Sequence, residues 1–158
     1  HQLVALEDAL EHAGEVVGPA SVWGAIDALG CARIGHGIRS IDDPALLREL
    51  GRRGVVLDVC PSSNLRTGAT LSWAAHPLRA LREAGVAVTI NSDDPTFFQT
   101  TLTEEYRRAV QYLGFSIDDL CATVLTATRA AFLPEVERSA LTNRVSREIH
   151  ALRAELGV

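Results

Sequence analysis

Three short apolar runs alternate with amphipathic segments in the first two thirds of the chain. The runs are ARIGHG (32–37), VVLDVCP (55–61) and VAVTIN (86–91). Short runs of this kind that end at glycine, proline or a polar residue are typical of buried strands. The segments between them, 42–54 and 76–85, space their apolar residues as helices do. This alternation predicts parallel βαβ units, and therefore an α/β fold.

Local signals set the ends of these two helices. Asp43 is the predicted N-cap of the first, with Pro44 at the first helical position and Gly51 or Gly54 as its end. Gly85 is the predicted end of the second helix.

Three further helices are predicted after residue 100. LTEEYRRAVQYLG (102–114) is expected to begin with Thr103 as N-cap. In the segment 116–133, Ser116 is followed three residues later by Asp119, which is a variant of the capping box. The segment 134–156 carries four arginines and four glutamates, so we predict a solvated amphipathic helix.

Composition indicates one soluble globular domain over residues 1–158. The apolar fraction is 47%, the charged fraction 22% and the net charge −5. An acidic balance argues against binding nucleic acid or an anionic membrane, and no apolar run reaches the roughly 18 residues that a membrane span needs. The chain has three cysteines and no segment that resembles a secretion signal. The predicted localisation is therefore cytoplasmic.

Polar side chains follow each of the three predicted strands. His36 ends the first, Ser62, Ser63 and Asn64 follow the second, and Asp93 and Asp94 follow the third. The carboxyl ends of parallel strands form the rim on which α/β proteins bind ligands. The sequence therefore predicts a polar site at that rim.

Each candidate also has a purely structural interpretation. In EHAGEVVGP (11–19), His12 and Glu15 suit metal binding and proton transfer, but a surface histidine and a helix-start glutamate have the same pattern. His36 lies between two glycines that leave its ring uncrowded, and it is alternatively a structural loop histidine.

The adjacent aspartates also allow two explanations. The carboxylates of Asp93 and Asp94 repel each other, and a metal bound to one with a substrate bound to the other would relieve this repulsion. The competing explanation is that either aspartate is a helix N-cap before Pro95. In the predicted polar loop CPSSNLRTGA (60–69), Cys60 is expected to be a small buried residue. Asn64 and Thr67 are expected to be local caps.

Four of these segments together resemble one family. HAGE (12–15), RIGHG (33–37), CPSSNLRTGA (60–69) and NSDDP (91–95), in this order, resemble the C-terminal half of the adenosine deaminases, which are zinc amidohydrolases with a (β/α)₈ barrel. The resemblance implies about strands five to eight of such a barrel, followed by extra C-terminal helices.

The resemblance also implies a role for each candidate residue. His12 resembles a zinc-binding histidine, and Asp93 resembles the aspartate that both ligates zinc and contacts the attacking group. His36 resembles the histidine that orients and deprotonates the attacking water. Glu15 resembles the glutamate that protonates the purine ring, and Asp94 resembles the aspartate that binds its five-membered ring.

The implied activity is hydrolytic deamination of an amino-purine nucleoside with one zinc ion. The segment SNLRTG, with Thr67, resembles nucleoside-handling members more than adenine-handling ones. The aminodeoxyfutalosine deaminases share these motifs and are a further candidate. The alternative is a non-catalytic, degenerate paralogue that binds a small ligand or a protein partner through the same rim.

The sequence departs from the family in two places. The H-x-H pair that supplies two zinc ligands is absent, so we expect an incomplete zinc site and a chain that needs a missing N-terminal half. The segment LVALEDALE (3–11) has a helical, acidic texture, which predicts that the strand before HAGE is replaced or missing. His76 and His150 lie outside the motifs, and His76 is expected on the wrong side of its loop.

A half barrel would also leave two strand edges unpaired. These are the edge of VAVTIN (86–91) and the edge before ARIGHG (32–37). Exposed edges invite pairing with another chain, so the sequence predicts marginal stability or self-association as a two-fold dimer.

Overall fold

The computed structural model describes residues 10–158, which form a parallel sheet with helices packed against it. The sheet has four strands in the order β1-β2-β3-β4. The strands are β1 (Leu10–Ala13), β2 (Arg33–His36), β3 (Val56–Val59) and β4 (Ala87–Ile90). The helices are α1 (Pro19–Ala28), α2 (Pro44–Arg53), α3 (Pro61–Arg66), α4 (Leu78–Glu83), α5 (Leu102–Leu113), α6 (Ile117–Arg129) and α7 (Glu135–Leu156). In this part of the chain, no helix combines the length and apolar character needed to cross a membrane.

The strands pair in one continuous register. Ala13 lies opposite His36, Gly35 opposite Asp58, and Val59 opposite Ile90. The carboxyl ends of all four strands therefore meet at one edge of the sheet. Parallel strands are usually covered on both faces, which is why all four residues of β3 are buried.

The core lies where the helices cover the sheet. Its largest fully buried apolar side chains come from the strands, from the 3₁₀ turn Ile38–Asp42 and from α2 and α4. They are Ile34, Ile38, Leu46, Leu50, Leu57, Leu78 and Leu81. Burying one such side chain contributes about 1.5 to 3 kcal/mol, so this cluster is the main source of stability for the sheet.

The three predicted strands and the predicted start of α2 are confirmed. Asp43 caps α2 by accepting hydrogen bonds from Ala45 N at 2.8 Å and Leu46 N at 3.2 Å, and Gly54 ends it with a φ of 67°. Ser116 and Asp119 form the predicted capping box reciprocally, at the start of α6. The solvated character of α7 is confirmed too, because it contains no buried residue.

The expectation that the strand before HAGE is replaced or missing was wrong. β1 carries His12 and pairs with β2 along its whole length. Its four residues, LEHA, are too few to show a strand pattern, and pairing with a neighbour outweighs local propensity. Among residues 10–158, the outer strand on that side is consequently β1 and not ARIGHG (32–37). Residues 3–9 of the helical-looking segment lie outside the described residues.

Two further local predictions were wrong. The N-cap of α5 is Thr101 and not Thr103, because the Thr101 hydroxyl accepts the hydrogen bond from Glu104 N. Segment 60–69 is not a simple loop, because it contains α3, which begins at Pro61. Proline at the first helical position fixes φ without losing a helical hydrogen bond, which is the signal that the loop prediction overlooked.

A buried carboxylate attaches α3 to α5. Glu105 on α5 is fully buried and accepts a hydrogen bond from Ser62 N at 3.0 Å. Its other oxygen accepts hydrogen bonds from the Thr100 hydroxyl and from Arg108, which lies at 3.1 Å. Arg108 in turn donates to the Ser62 hydroxyl at 2.6 Å. Glu105 thus connects the start of α3 with the end of the segment that contains Asp93.

Glu105→Ala is expected to lower the free energy of unfolding by about 3 to 5 kcal/mol. The substitution leaves the buried Ser62 N–H without its acceptor, and it removes the carboxylate that neutralises the partly buried Arg108. The measurement is urea denaturation followed by circular dichroism.

The neighbouring Glu104 provides the matched control. Its side chain is partly exposed, and its carboxylate forms an ion pair with the exposed Arg107, so Glu104→Ala is expected to cost less than about 1 kcal/mol. Equal, small losses in both variants would show that Glu105 does not hold α3 in place.

Candidate active site

Side chains from the strand ends converge on one cleft. His12 on β1, His36 at the end of β2 and Asp93 after β4 all line a cavity of about 410 Å³. The His12 and His36 rings have centroids 5.6 Å apart and are tilted by 53°. His36 Nε2 lies 3.7 Å from Asp93 Oδ2, and His36 Nδ1 lies 3.7 Å from Glu15 Oε1. The structure therefore brings together four of the five predicted site residues.

Two of these residues have strained backbones. His36 has a φ of 65° and Asp93 a φ of 59°, in the left-handed region that non-glycine residues seldom occupy. Across residues 10–158, Gln99 is the only other non-glycine residue with positive φ. Such a conformation costs on the order of 1 to 3 kcal/mol, and it persists where the surrounding structure imposes it, most often at functional sites. The strain thus coincides with the candidate chemistry.

The glycines of RIGHG (33–37) make room for this arrangement. A Cβ added to Gly35 would lie 2.9 Å from Cδ2 of the His12 ring, closer than real contacts allow. Gly37 has a φ of 65°, and a Cβ there would meet the Leu57 side chain at 2.6 Å. Glycine at position 35 is therefore what lets the imidazole of His12 lie flat against β2.

Asn64 and Thr67 hold Glu15, a role that the sequence interpretation missed. Asn64 Nδ2 donates to Glu15 Oε1 at 3.1 Å and to His36 Nδ1 at 3.2 Å. The Thr67 hydroxyl donates to the same Glu15 oxygen at 3.2 Å. Both were expected to be local caps. Once α3 is recognised, their spacing of three residues places them on one side of that turn, which is the signal that could have identified them.

His76 also belongs to this group, and its predicted position on the wrong side of its loop was wrong. Its Nε2 lies 3.3 Å from Asn64 Oδ1, and its Nδ1 accepts a hydrogen bond from Leu78 N at 3.2 Å. Burial lowers the pKa of His76 to about 4, so the ring is neutral at neutral pH. The contact depends on the 3₁₀ turn Trp73–Ala75, which brings the ring back towards α3. The local sequence around His76 does not indicate it. His150 lies on α7, as predicted.

Asp94 differs from its neighbour. One of its carboxylate oxygens accepts hydrogen bonds from Thr96 N at 3.0 Å and Phe97 N at 2.9 Å. The capping explanation that the sequence left open for the pair therefore holds for Asp94, although it caps a turn and not a helix. Asp94 is exposed and does not line the cleft of His12 and His36. A contact between Asp94 and a substrate stays a prediction.

The floor of the cleft is a polar ladder across three strands. Arg33 on β2 donates to Asp58 Oδ2 on β3 at 3.0 and 2.7 Å. The Thr89 hydroxyl on β4 donates to the other Asp58 oxygen at 2.6 Å, and Asn91 Nδ2 donates to Thr89 at 2.8 Å. Asp58 and Thr89 are buried and Arg33 and Asn91 are half-buried, and because these polar groups satisfy one another they fix this side of the cavity.

The cleft contains the types of donor atom that zinc binds in proteins. His36, Cys60 and Asp93 each place one ligand atom within 4.8 Å of the others, and the ring of His12 lies alongside. Burial, followed by the charges of Asp93 and Asp58, raises the pKa of the Cys60 thiol to about 12. The donor types in the cleft are therefore imidazole nitrogens, a carboxylate oxygen and a thiol. Zinc binds these donor types readily.

Comparison with known proteins agrees with the geometry. The sequence profile of the adenosine deaminase family matches residues 7–148. An adenine deaminase of Rhizobium leguminosarum bv. trifolii is 50% identical over 134 residues, which cover 85% of this chain and 42% of that protein.

Two solved structures resemble the fold. An adenine deaminase from Arthrobacter aurescens superposes with a TM-score of 0.84 at 31% identity, covering 89% of this chain and 43% of that one. An amidohydrolase from Burkholderia ambifaria with bound Zn superposes with a TM-score of 0.87 at 27% identity, covering 94% and 42%.

The chain spans less than half the length of these relatives. Its four-stranded sheet corresponds to part of a (β/α)₈ barrel, which confirms the predicted fold class. The resemblance to this family that rests on four motifs is confirmed as well, while its placement in the C-terminal half stays a prediction. Since the family profile covers nearly all of the sequence and these structures share its fold, the chain belongs to the adenosine deaminase family.

Proposed function

We propose that the protein containing this chain hydrolyses the exocyclic amine of an amino-purine, with a zinc ion in the cleft. The observation that carries the proposal is the convergence of His12, Glu15, His36 and Asp93, two of them with strained backbones. The adenine deaminases among its relatives support the same reaction class.

His12 and Asp93 are the residues of this chain that would hold zinc. They come from the first and last strand ends of the sheet and face the same cavity. When bound, zinc would supply Lewis acidity, which lowers the pKa of water to about 7. A catalytic zinc needs three protein ligands or more, so His12 and Asp93 alone do not complete the site.

His36 and Asp93 would handle the attacking water. They face one volume, with Nε2 and a carboxylate oxygen 3.7 Å apart. A positioned base and a positioned hydrogen-bond partner together can orient a water and remove its proton. We assign the orientation and deprotonation of the nucleophile to this pair.

Glu15 would supply the proton to the ring. The hydrogen bonds from Asn64 and Thr67 both go to Oε1, which leaves Oε2 to face a substrate. The oxygen of water bonds to the carbon that bears the amine, while Glu15 protonates a ring nitrogen. As the carbon–nitrogen bond breaks, the proton that His36 and Asp93 removed from the water passes to the amine, which leaves as ammonia. The proton of the new hydroxyl returns to Glu15, and the product is an oxopurine. No redox partner is needed.

The substrate is either the free base or its nucleoside. The relatives named above favour adenine, whereas Thr67 in SNLRTG led the sequence interpretation to a nucleoside. Aminodeoxyfutalosine is a further amine-bearing purine to assay. A non-catalytic binding protein is the alternative, and self-association through the outer strands stays a prediction.

Glu15→Gln in the full-length protein is expected to lower kcat for deamination by roughly 10² to 10⁴, because the amide cannot donate the proton. Ammonia release from adenine, adenosine and aminodeoxyfutalosine is the measurement. The control is Glu11→Gln, an exposed neighbour on β1 that should leave kcat unchanged. Absence of ammonia release from all three substrates by the zinc-loaded wild type would favour the non-catalytic alternative.

His12→Ala and Asp93→Asn are each expected to weaken zinc binding by more than about 100-fold, since a lost ligand should cost at least as much as a lost supporting contact. Competition with a chromophoric chelator measures this affinity without any need for turnover. His150→Ala, on the exposed terminal helix, is the matched control and should bind zinc like the wild type. Wild-type affinity in the His12 and Asp93 variants would remove both residues from the ligand set.

A further inference from the structure

A line of hydrogen bonds runs from a backbone amide of α4 into the cleft. It begins at Leu78, whose backbone N–H donates to His76 Nδ1 at 3.2 Å. A backbone N–H can only donate, so this contact identifies Nδ1 of His76 as an acceptor. The neutral ring must then have its proton on Nε2. The deep burial of His76 favours this neutral form.

The proton on His76 sets the orientation of the Asn64 amide. His76 Nε2–H points at Asn64 Oδ1, 3.3 Å away, and Asn64 is fully buried. The amide nitrogen therefore lies on the opposite side, where its two hydrogens meet Glu15 Oε1 and His36 Nδ1. A reversed amide would place its oxygen against the Glu15 carboxylate and its nitrogen against a donor. Both neighbours therefore favour the same orientation.

The oriented amide in turn fixes the proton of His36. Its Nδ1 accepts from Asn64 Nδ2, so a neutral His36 has its proton on Nε2. Nε2 is the nitrogen that faces Asp93 Oδ2 across 3.7 Å. The backbone of α4 thus specifies, through two side chains, that the nitrogen His36 presents to the cleft carries the proton.

We propose that His76, acting through Asn64, is a positioning residue that keeps the proton of neutral His36 on Nε2. His76 touches neither Asp93 nor the cleft and acts only through the Asn64 amide. The consequence for the reaction rests on the proposed function. There, His36 orients the attacking water by donating a hydrogen bond to its oxygen, and the Asp93 carboxylate accepts the proton of that water.

Two substitutions at position 76 separate positioning from simple packing. In His76→Gln, the side-chain amide nitrogen replaces Nε2 and keeps a donor to Asn64 Oδ1. In His76→Asn, the side-chain oxygen replaces Nδ1 and keeps an acceptor for Leu78 N, but the donor to Asn64 is lost. Each variant removes one of the two hydrogen bonds of His76, so a merely structural role predicts similar effects for both.

The experiment is long-range ¹H–¹⁵N NMR of the full-length protein labelled at histidine nitrogens, which reads the tautomer directly and needs no turnover. The wild type is expected to show His36 and His76 with protons on Nε2. His76→Gln should keep that state at His36. His76→Asn should lower the ratio of the Nε2–H to the Nδ1–H form of His36 about fivefold, the effect of one lost neutral hydrogen bond.

The outcomes separate this inference from the proposed function. A wild-type proton on Nδ1 of either histidine overturns the inference, and this holds even if neither variant folds. Identical His36 tautomer ratios in folded His76→Gln and His76→Asn also overturn it. If the tautomers are as expected but the zinc-loaded protein releases no ammonia from any aminopurine, the inference stands and the proposed function fails.

Discussion

The in-register pairing of the parallel strands is the constraint on which the candidate site depends. Because β1 to β4 run in one direction without a slip, His12, His36 and the segment that leads to Asp93 reach the same edge of the sheet. A slip of one residue would turn every side chain of a strand to the opposite face and separate the two histidines. The buried apolar residues of the strands, and the ladder from Arg33 to Asn91, both hold this register.

The site also depends on rigid support, since its backbone is strained. Left-handed conformations at His36 and Asp93 cost on the order of 1 to 3 kcal/mol each, which the surrounding contacts must offset. Next to His36, the Gly37 N–H donates a hydrogen bond of 2.9 Å to Ala13 O and so ties the end of β2 to β1. Two residues before Asp93, the Asn91 N–H donates a hydrogen bond of 2.9 Å to Val59 O at the end of β3. Glu105 connects that segment with α3, so the same contacts position Asn64.

The sequence was sufficient to predict much of this fold and less of the site. Three strands, the caps at Asp43 and Ser116, and the residues of the family motifs could be predicted, because each is a local signal or a strong pattern. β1 could not, since a strand of only four residues is stabilised by its neighbour and not by its own propensity. His76 was missed for the same kind of reason. Its partner Asn64 is twelve residues away, and only the fold brings the two rings of His76 and His36 to opposite sides of one amide.

The central proposal is that the strand ends of this sheet form one zinc-binding catalytic cleft. Diffraction data from zinc-grown crystals of the full-length protein, collected on both sides of the zinc absorption edge, test it most directly. The account predicts an anomalous peak about 2.0 to 2.2 Å from a His12 ring nitrogen and from an Asp93 carboxylate oxygen. A zinc peak elsewhere in the molecule, with none between His12 and Asp93, would contradict it.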